Sequence, residues 1–176
     1  MSGVPLRDRD ESATVLLLGA GPIALLWLVA LKRAGAGRVV VAGRRPFRLE
    51  VARRLGADAV LGEDDDLEAS VAQLTGGRGA DLVVECVGGT AGVKSFEQAQ
   101  RMVKRGGVIH LIAKYQGGPE AGAGILPLDS GIMQDNLVIV AGHGMPGTNA
   151  QHLREAARML TDGRLKVDPI ITHRMP

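Results

Sequence analysis

Two glycines one residue apart, Gly19 and Gly21, break a short apolar run in Thr14-Val-Leu-Leu-Leu-Gly-Ala-Gly-Pro-Ile-Ala24, and a helical pattern follows at once. That order suits the binding of a pyrophosphate. Gly19 lets the chain turn sharply at a strand end, and Gly21 lets backbone approach the phosphates with no Cβ in the way. The first N–H groups of the new helix, from Ile23 and Ala24 onward (Pro22 carries none), then face the anion. Ala24 stands at the third position of G-x-G-x-x-G/A, small enough for close helix–sheet packing. A plain turn between strand and helix is the competing reading; a readable strand before and helix after favour the phosphate turn.

The end of the next apolar run, Arg38-Val-Val-Val-Ala42, bears on which dinucleotide is meant. About 20 residues past the glycines, an NAD site offers Asp or Glu to the ribose 2′-OH. This chain has Gly43 there, then Arg44 and Arg45. A carboxylate would repel a 2′-phosphate, whereas guanidinium groups grip one with paired hydrogen bonds. The expectation is NADP(H) in preference to NAD(H). The alternative is that Arg44 and Arg45 are ordinary loop charges. Arg48, one turn into the next helix, either assists the cofactor or lies on a solvated face.

Composition sets the bounds. The 176 residues are 45% hydrophobic, enough for one domain with a full core. Net charge is +2, but eight basic residues and one acidic residue lie between Lys32 and Arg54, and five acids lie between Glu63 and Glu68. Such a local basic patch suits a phosphorylated nucleotide and is too small to argue for nucleic acid. Cys86 is the single cysteine, so no intrachain disulfide forms, and it and the four scattered histidines show no zinc-ligand spacing; no metal is expected on this chain. Residues 1–12 read as a polar, flexible tail without a signal-peptide core, and the longest apolar run, Pro22 to Leu31, is too short for a bilayer. A cytoplasmic protein with no membrane or nucleic-acid partner is expected.

The elements that must position these residues follow from the pattern. Apolar runs at 14–19, 38–42, 59–61, 81–86, 108–112 and 137–141 read as buried strands, and 23–33, 48–55, 67–74, 93–104 and 149–160 as helices. This alternation predicts a Rossmann-type α/β fold: a doubly wound, six-stranded parallel sheet of order 3-2-1-4-5-6, in one domain over 13–176. Gly56, Gly106 and Gly163 are expected to stop helices. Asp64, Asp65 and Asp66 are expected to cap the third helix rather than hold a metal. Residues 117–124, rich in glycine, read as a loop. The helix from Ile23 is apolar nearly all round, which implies burial on both sides: either the chain's own helices and sheet bury it, or one face meets a second copy or a partner chain; an exposed sixth strand would also invite edge pairing.

The chain resembles the medium-chain dehydrogenase/reductase family of the zinc-type alcohol dehydrogenases. The resemblance rests on Val15-Leu-Leu-Leu-Gly-Ala-Gly-Pro-Ile-Ala24, Arg48-Leu-Glu-Val-Ala-Arg-Arg-Leu-Gly-Ala-Asp58, Gly79-Ala-Asp-Leu-Val-Val-Glu-Cys-Val-Gly88 and Asp162-Gly-Arg-Leu-Lys-Val-Asp-Pro-Ile-Ile-Thr-His-Arg174. It implies that Gly19, Gly21, Pro22, Ile23 and Ala24 face the pyrophosphate, that Gly43, Arg44 and Arg45 surround the adenosine ribose, and that Cys86, Val87 and Gly88 line the adenosine side. It further implies that Ile112, Ala113, Lys114, Gly142 and His143 lie beside the nicotinamide. All of the matching stretch falls within the family's cofactor domain. The expectation is therefore an NADP(H)-binding domain whose catalytic, zinc-holding domain lies elsewhere, in another domain or a partner chain.

No catalytic residue is assigned from the sequence. His143 lacks an identifiable acid partner, His110 falls inside an expected strand, His152 at a helix start and His173 in the closing segment. Tyr115 would need a lysine four residues on to resemble a short-chain reductase, and position 119 is Pro; Ser130 lacks the Gly-x-Ser-x-Gly setting. Lys114 is equally a phosphate contact or a loop charge. Two functions remain open: a dehydrogenase/reductase passing hydride between nicotinamide and an alcohol or carbonyl, and a non-catalytic NADP(H)-binding or sensing module. A methyltransferase fits less well, since it would want an acid at position 43.

Overall fold

The computed structural model describes residues 12–113, 127–129, 135–142 and 149–171. Among them, six parallel strands form one sheet: β1 (Thr14–Leu18), β2 (Arg38–Ala42), β3 (Ala59–Leu61), β4 (Ala80–Glu85), β5 (Val103–Leu111) and β6 (Val138–Ala141), in the order β3-β2-β1-β4-β5-β6. The crossovers are α1 (Pro22–Arg33), α2 (Pro46–Arg54), α3 (Leu67–Thr75) and α4 (Gly92–Met102), and α5 (Asn149–Thr161) follows β6. The expected fold class and strand order are those observed.

Side chains alternate across the sheet, and each face has its own core. Val15, Leu17, Val39, Val41, Leu82 and Val84 pack under Leu25, Leu28 and Leu31 of α1 and Leu49 and Ala52 of α2. Leu16, Leu18, Val40, Val83, Ile109 and Leu111 pack on the other side with Val71 of α3 and Phe96, Ala99 and Met102 of α4. This double burial explains why the strands read as continuous apolar runs. Carboxylates pin the strand starts: Asp81 accepts the Thr14 N–H at 2.7 Å, and Asp58 accepts the Val39 N–H at 2.6 Å.

Three expectations are corrected. The fourth helix ends at Met102 rather than 104, and Val103 and Lys104 begin β5. The sequence misleads here because Val103 continues the apolar spacing of Ala99, whereas its backbone pairs with Ala80. Gly106 accordingly stops no helix. It lies inside β5, where the register jumps: Ala80 faces Val103 but Leu82 already faces Val108. Gly79 and Gly107 permit the strands to close over this bulge, since a Cβ on Gly79 would come within 2.8 Å of the Lys104 nitrogen and one on Gly107 within 2.6 Å of Val103. Finally, α1 is not buried all round, with Ile23 51% and Leu26 44% exposed.

Candidate functional site

The carboxyl ends of β1, β2 and β4 converge on one cleft of about 660 Å³. At its floor, β1 ends in Gly19, whose φ of +101° favours glycine. The Gly19 N–H donates to the Ala42 carbonyl at 2.8 Å, and a Cβ there would lie 3.3 Å from the Cys86 carbonyl carbon. The turn is thus threaded between the ends of β2 and β4.

Gly21 is a different case. It caps α1 with φ −75° and ψ 173°, a conformation open to any residue, and forms no side-chain cap hydrogen bond. Sequence neighbours aside, the only described atom within 4 Å of where its Cβ would stand is Nη1 of Arg48, at 4.0 Å. The protein's own packing therefore does not demand glycine at 21, and the space suits a ligand pressed against backbone. No acidic residue occupies the first turn of α1, and Lys32 and Arg33 stand in its last, so the helix dipole is left for an anion at its N-terminus.

Gly43 follows β2 for a physical reason invisible in the sequence. A Cβ on it would lie 2.7 Å from the Ala20 Cβ and 3.3 Å from the Ala20 nitrogen. Packing between the two turns excludes a side chain here, so the missing carboxylate has a steric cause. Arg44 and Arg45 follow, and both line the cleft together with Arg48. None of the three forms an ion pair among the described residues, although Glu63, Asp65, Asp66 and Glu68 line the same cleft. Three of those acids have other duties. Asp66 caps α3 through the Ala69 N–H at 3.1 Å, as expected of this acidic run; Asp65 accepts the Gly62 N–H at 2.5 Å; Glu68 pairs with Arg101 at 2.7 Å.

The third wall comes from β4 and α4. Glu85 is wholly buried and its carboxylate accepts the Val87 N–H at 2.8 Å, while its carbonyl accepts the N–H groups of Ile112 and Ala113 at 3.1 and 3.3 Å. It thereby shapes the segment in which Cys86 and Val87 meet the cleft. Burial, and then the neighbouring Glu85 charge, push the Cys86 thiol up to about 12, so it is an inert wall residue. Lys94, Ser95 and Gln98 of α4 also line the cleft, contacts that sequence reasoning missed because only the fold brings α4 to this place.

Of the residues expected to hold a cofactor, the cleft brings together Gly19, Gly21, Gly43, Arg44, Arg45, Arg48, Cys86 and Val87. Ala24 is wholly buried beneath α1, in keeping with its packing role, whereas Pro22 and Ile23 are exposed on the first turn and do not line the cleft. Gly88, Ile112, Ala113 and Gly142 also fall outside its lining. Ile112 is buried and Gly142 follows β6, its N–H donating to the Leu111 carbonyl at 3.3 Å. Lys114 and His143 lie outside the described residues, as do Tyr115, Ser130, His173, the 117–124 loop and residues 1–11. No cluster of potential metal ligands occurs among the described residues.

His110 belongs to the packing, as its strand position led one to expect. It is buried on β5 and stacks edge-on against Trp27 of α1, ring centroids 5.3 Å apart at 82°. Its Nδ1 has no hydrogen-bond partner among the described residues, and a hydrogen bond to the Gly142 backbone engages the ring. Burial lowers its pKa, partly offset by that bond.

The donor set and the open cradle at Gly21 fit a dinucleotide, and known proteins agree. Residues 22–163 match the family model described as zinc-binding dehydrogenase. L-threonine 3-dehydrogenase of Pyrococcus abyssi is 33% identical over 166 residues, a match covering 92% of this chain and 44% of that protein. The chain thus spans less than half the length of this curated relative. Among solved structures, alcohol dehydrogenase TADH from Thermus sp. ATN1 superposes with a TM-score of 0.77 at 29% identity, covering 94% of this chain and 45% of that one. A protein from Sinorhizobium meliloti 1021 classed as a zinc-binding dehydrogenase and bound to NADP superposes with a TM-score of 0.73 at 26% identity, covering 89% and 43%. By sequence match, strand order and the shape of its glycine turn, the chain belongs to the zinc-binding dehydrogenase family and corresponds to its C-terminal, nicotinamide-dinucleotide-binding domain.

Proposed function

We propose that this chain is the NADP(H)-binding domain of an alcohol or carbonyl oxidoreductase. The observation that carries the reading is the group of three arginines, Arg44, Arg45 and Arg48, that form no ion pair among the described residues and surround a turn in which Gly21 has no packing reason to be glycine. Bound there, the cofactor supplies hydride chemistry at its nicotinamide. The chain's own residues bind and orient it: the α1 amides and Gly21 take the pyrophosphate, Arg44 and Arg45 the 2′-phosphate, and Cys86 and Val87 the adenosine side. Gly88, Ile112, Ala113, Lys114, Gly142 and His143 belong to this reading as the remaining cofactor contacts. Substrate polarisation, proton transfer and any zinc come from a domain or partner chain outside these residues. The exposed apolar side chains of β6 and α5, Val138, Ile139, Leu153 and Leu160, offer that domain a surface. A cytoplasmic setting goes with this reading, supported by the single cysteine.

A second reading, a non-catalytic NADP(H)-binding or sensing module, is favoured by the chemistry of the cleft itself. Cys86 is held as a thiol, and His110 is stacked on Trp27 instead of lining the cleft. Calorimetric titration with NADPH and NADH tests both readings, and adding the family's catalytic domain to a turnover assay separates them. Arg45→Ala should weaken NADPH by about tenfold or more and leave NADH nearly unchanged, given one lost charge-assisted pair. Equal losses for both cofactors would sink the 2′-phosphate assignment.

A further inference from the structure

Arg48 is the third residue of α2, where the positive end of the helix dipole disfavours a cation. No acid occupies that first turn to compensate. The side chain is nevertheless half-buried and reaches from α2 back to the mouth of α1, placing Nη1 4.0 Å from the point a Gly21 Cβ would occupy. No atom of Arg44 or Arg45 comes within 4 Å of that point. The Phe47 ring lies 5.7 Å from the Arg48 Cζ and steadies the guanidinium without neutralising it. No ion pair among the described residues engages this charge, which lies against two helix N-termini and is therefore placed to receive an anion.

We propose that Arg48 ligates the pyrophosphate bridge itself, so that the arginines divide their work. Arg44 and Arg45 read the 2′-phosphate that marks NADP, and Arg48 grips the diphosphate that NADP and NAD share. The inference rests on the dinucleotide reading above but not on the preference for NADP. It makes Arg48 an affinity residue that is blind to the cofactor distinction.

The test is titration of the full 176-residue chain, and of its Arg48→Gln, Arg48→Lys and Arg45→Ala variants, with NADPH, NADH and ADP-ribose. Arg48→Gln is expected to weaken all three by a common factor of about ten, leaving the NADPH:NADH ratio unchanged, with Arg48→Lys recovering part of the loss as a point charge. Arg45→Ala is expected to change the ratio alone. Arg48→Gln weakening NADPH while sparing NADH and ADP-ribose would overturn the proposal and return Arg48 to the 2′-phosphate; no change for any ligand would remove it from the site. Thermal melting of each variant separates a lost contact from a lost fold. Failure of the unsubstituted chain to bind any of the three would overturn the dinucleotide reading and this inference together. Equal binding of NADPH and NADH by that chain would fail the 2′-phosphate reading alone, leaving the Arg48 result to stand or fall by itself.

Discussion

The five residues of β1 are all buried, as are four of the five in β2, whereas β6 leaves Val138 50% and Ile139 38% exposed. The contrast extends to the helices. Leu25, Leu28 and Leu31 of α1 are buried in the core, while Leu153 of α5 is 70% exposed. The half of the sheet that carries the glycine turn is thus covered on both faces by this chain's own helices. The half that carries Gly142 remains partly uncovered. Among the described residues, the core therefore closes around the glycine turn and stays open toward β6 and α5.

The sharpest way to break that comparison is truncation on each side. Leu28→Ala, in the covered half, should cost ~2–5 kcal/mol in denaturant unfolding, the range for emptying a packed core site. Leu153→Ala should shift the same transition by less than ~0.5 kcal/mol, as an exposed substitution does. Similar losses at both positions would show that α5 is packed after all.

Gly43→Asp tests the covered half from within. The forced contact with Ala20 should destabilise the fold by about 1–3 kcal/mol, and Ala20→Gly in the same chain should recover most of it. A neutral single substitution, measured by thermal melting, would refute the steric account of Gly43.

The smallest effect belongs to the seam between the halves. His110 has its pKa lowered from 6.5 by burial, so the unfolded chain takes up a proton that the folded chain resists. Its contribution is complete above pH 6.5 and is lost as pH falls from there through the folded value. His110→Phe should flatten that acid-side decline. Fluorescence of Trp27, the chain's only tryptophan, provides the readout for unfolding at each pH.

Much of this was legible in the residues. Five of the six strands, β1, β2, β3, β4 and β6, were expected within one residue at each end, because they are largely apolar runs bounded by glycine or charge. Gly19 and Gly21 located the cleft because a readable strand precedes them and a readable helix follows. What the sequence obscured was three-dimensional. The end of α4 was hidden by Val103, whose apolar character serves helix and strand equally. The steric origin of Gly43 was hidden because Ala20 is far from it in sequence. The reach of Arg48 to Gly21 was hidden for the same reason: helix spacing places Arg48 one turn into α2 but does not say that α2 starts beside α1.

The contact between Ala20 and the site of a Gly43 Cβ couples the two positions epistatically. A single substitution that installed a ribose-binding carboxylate at 43 would damage the fold before it could reward a new cofactor. A mutational path to such a carboxylate therefore runs through position 20 first, so that the two turns can only change together.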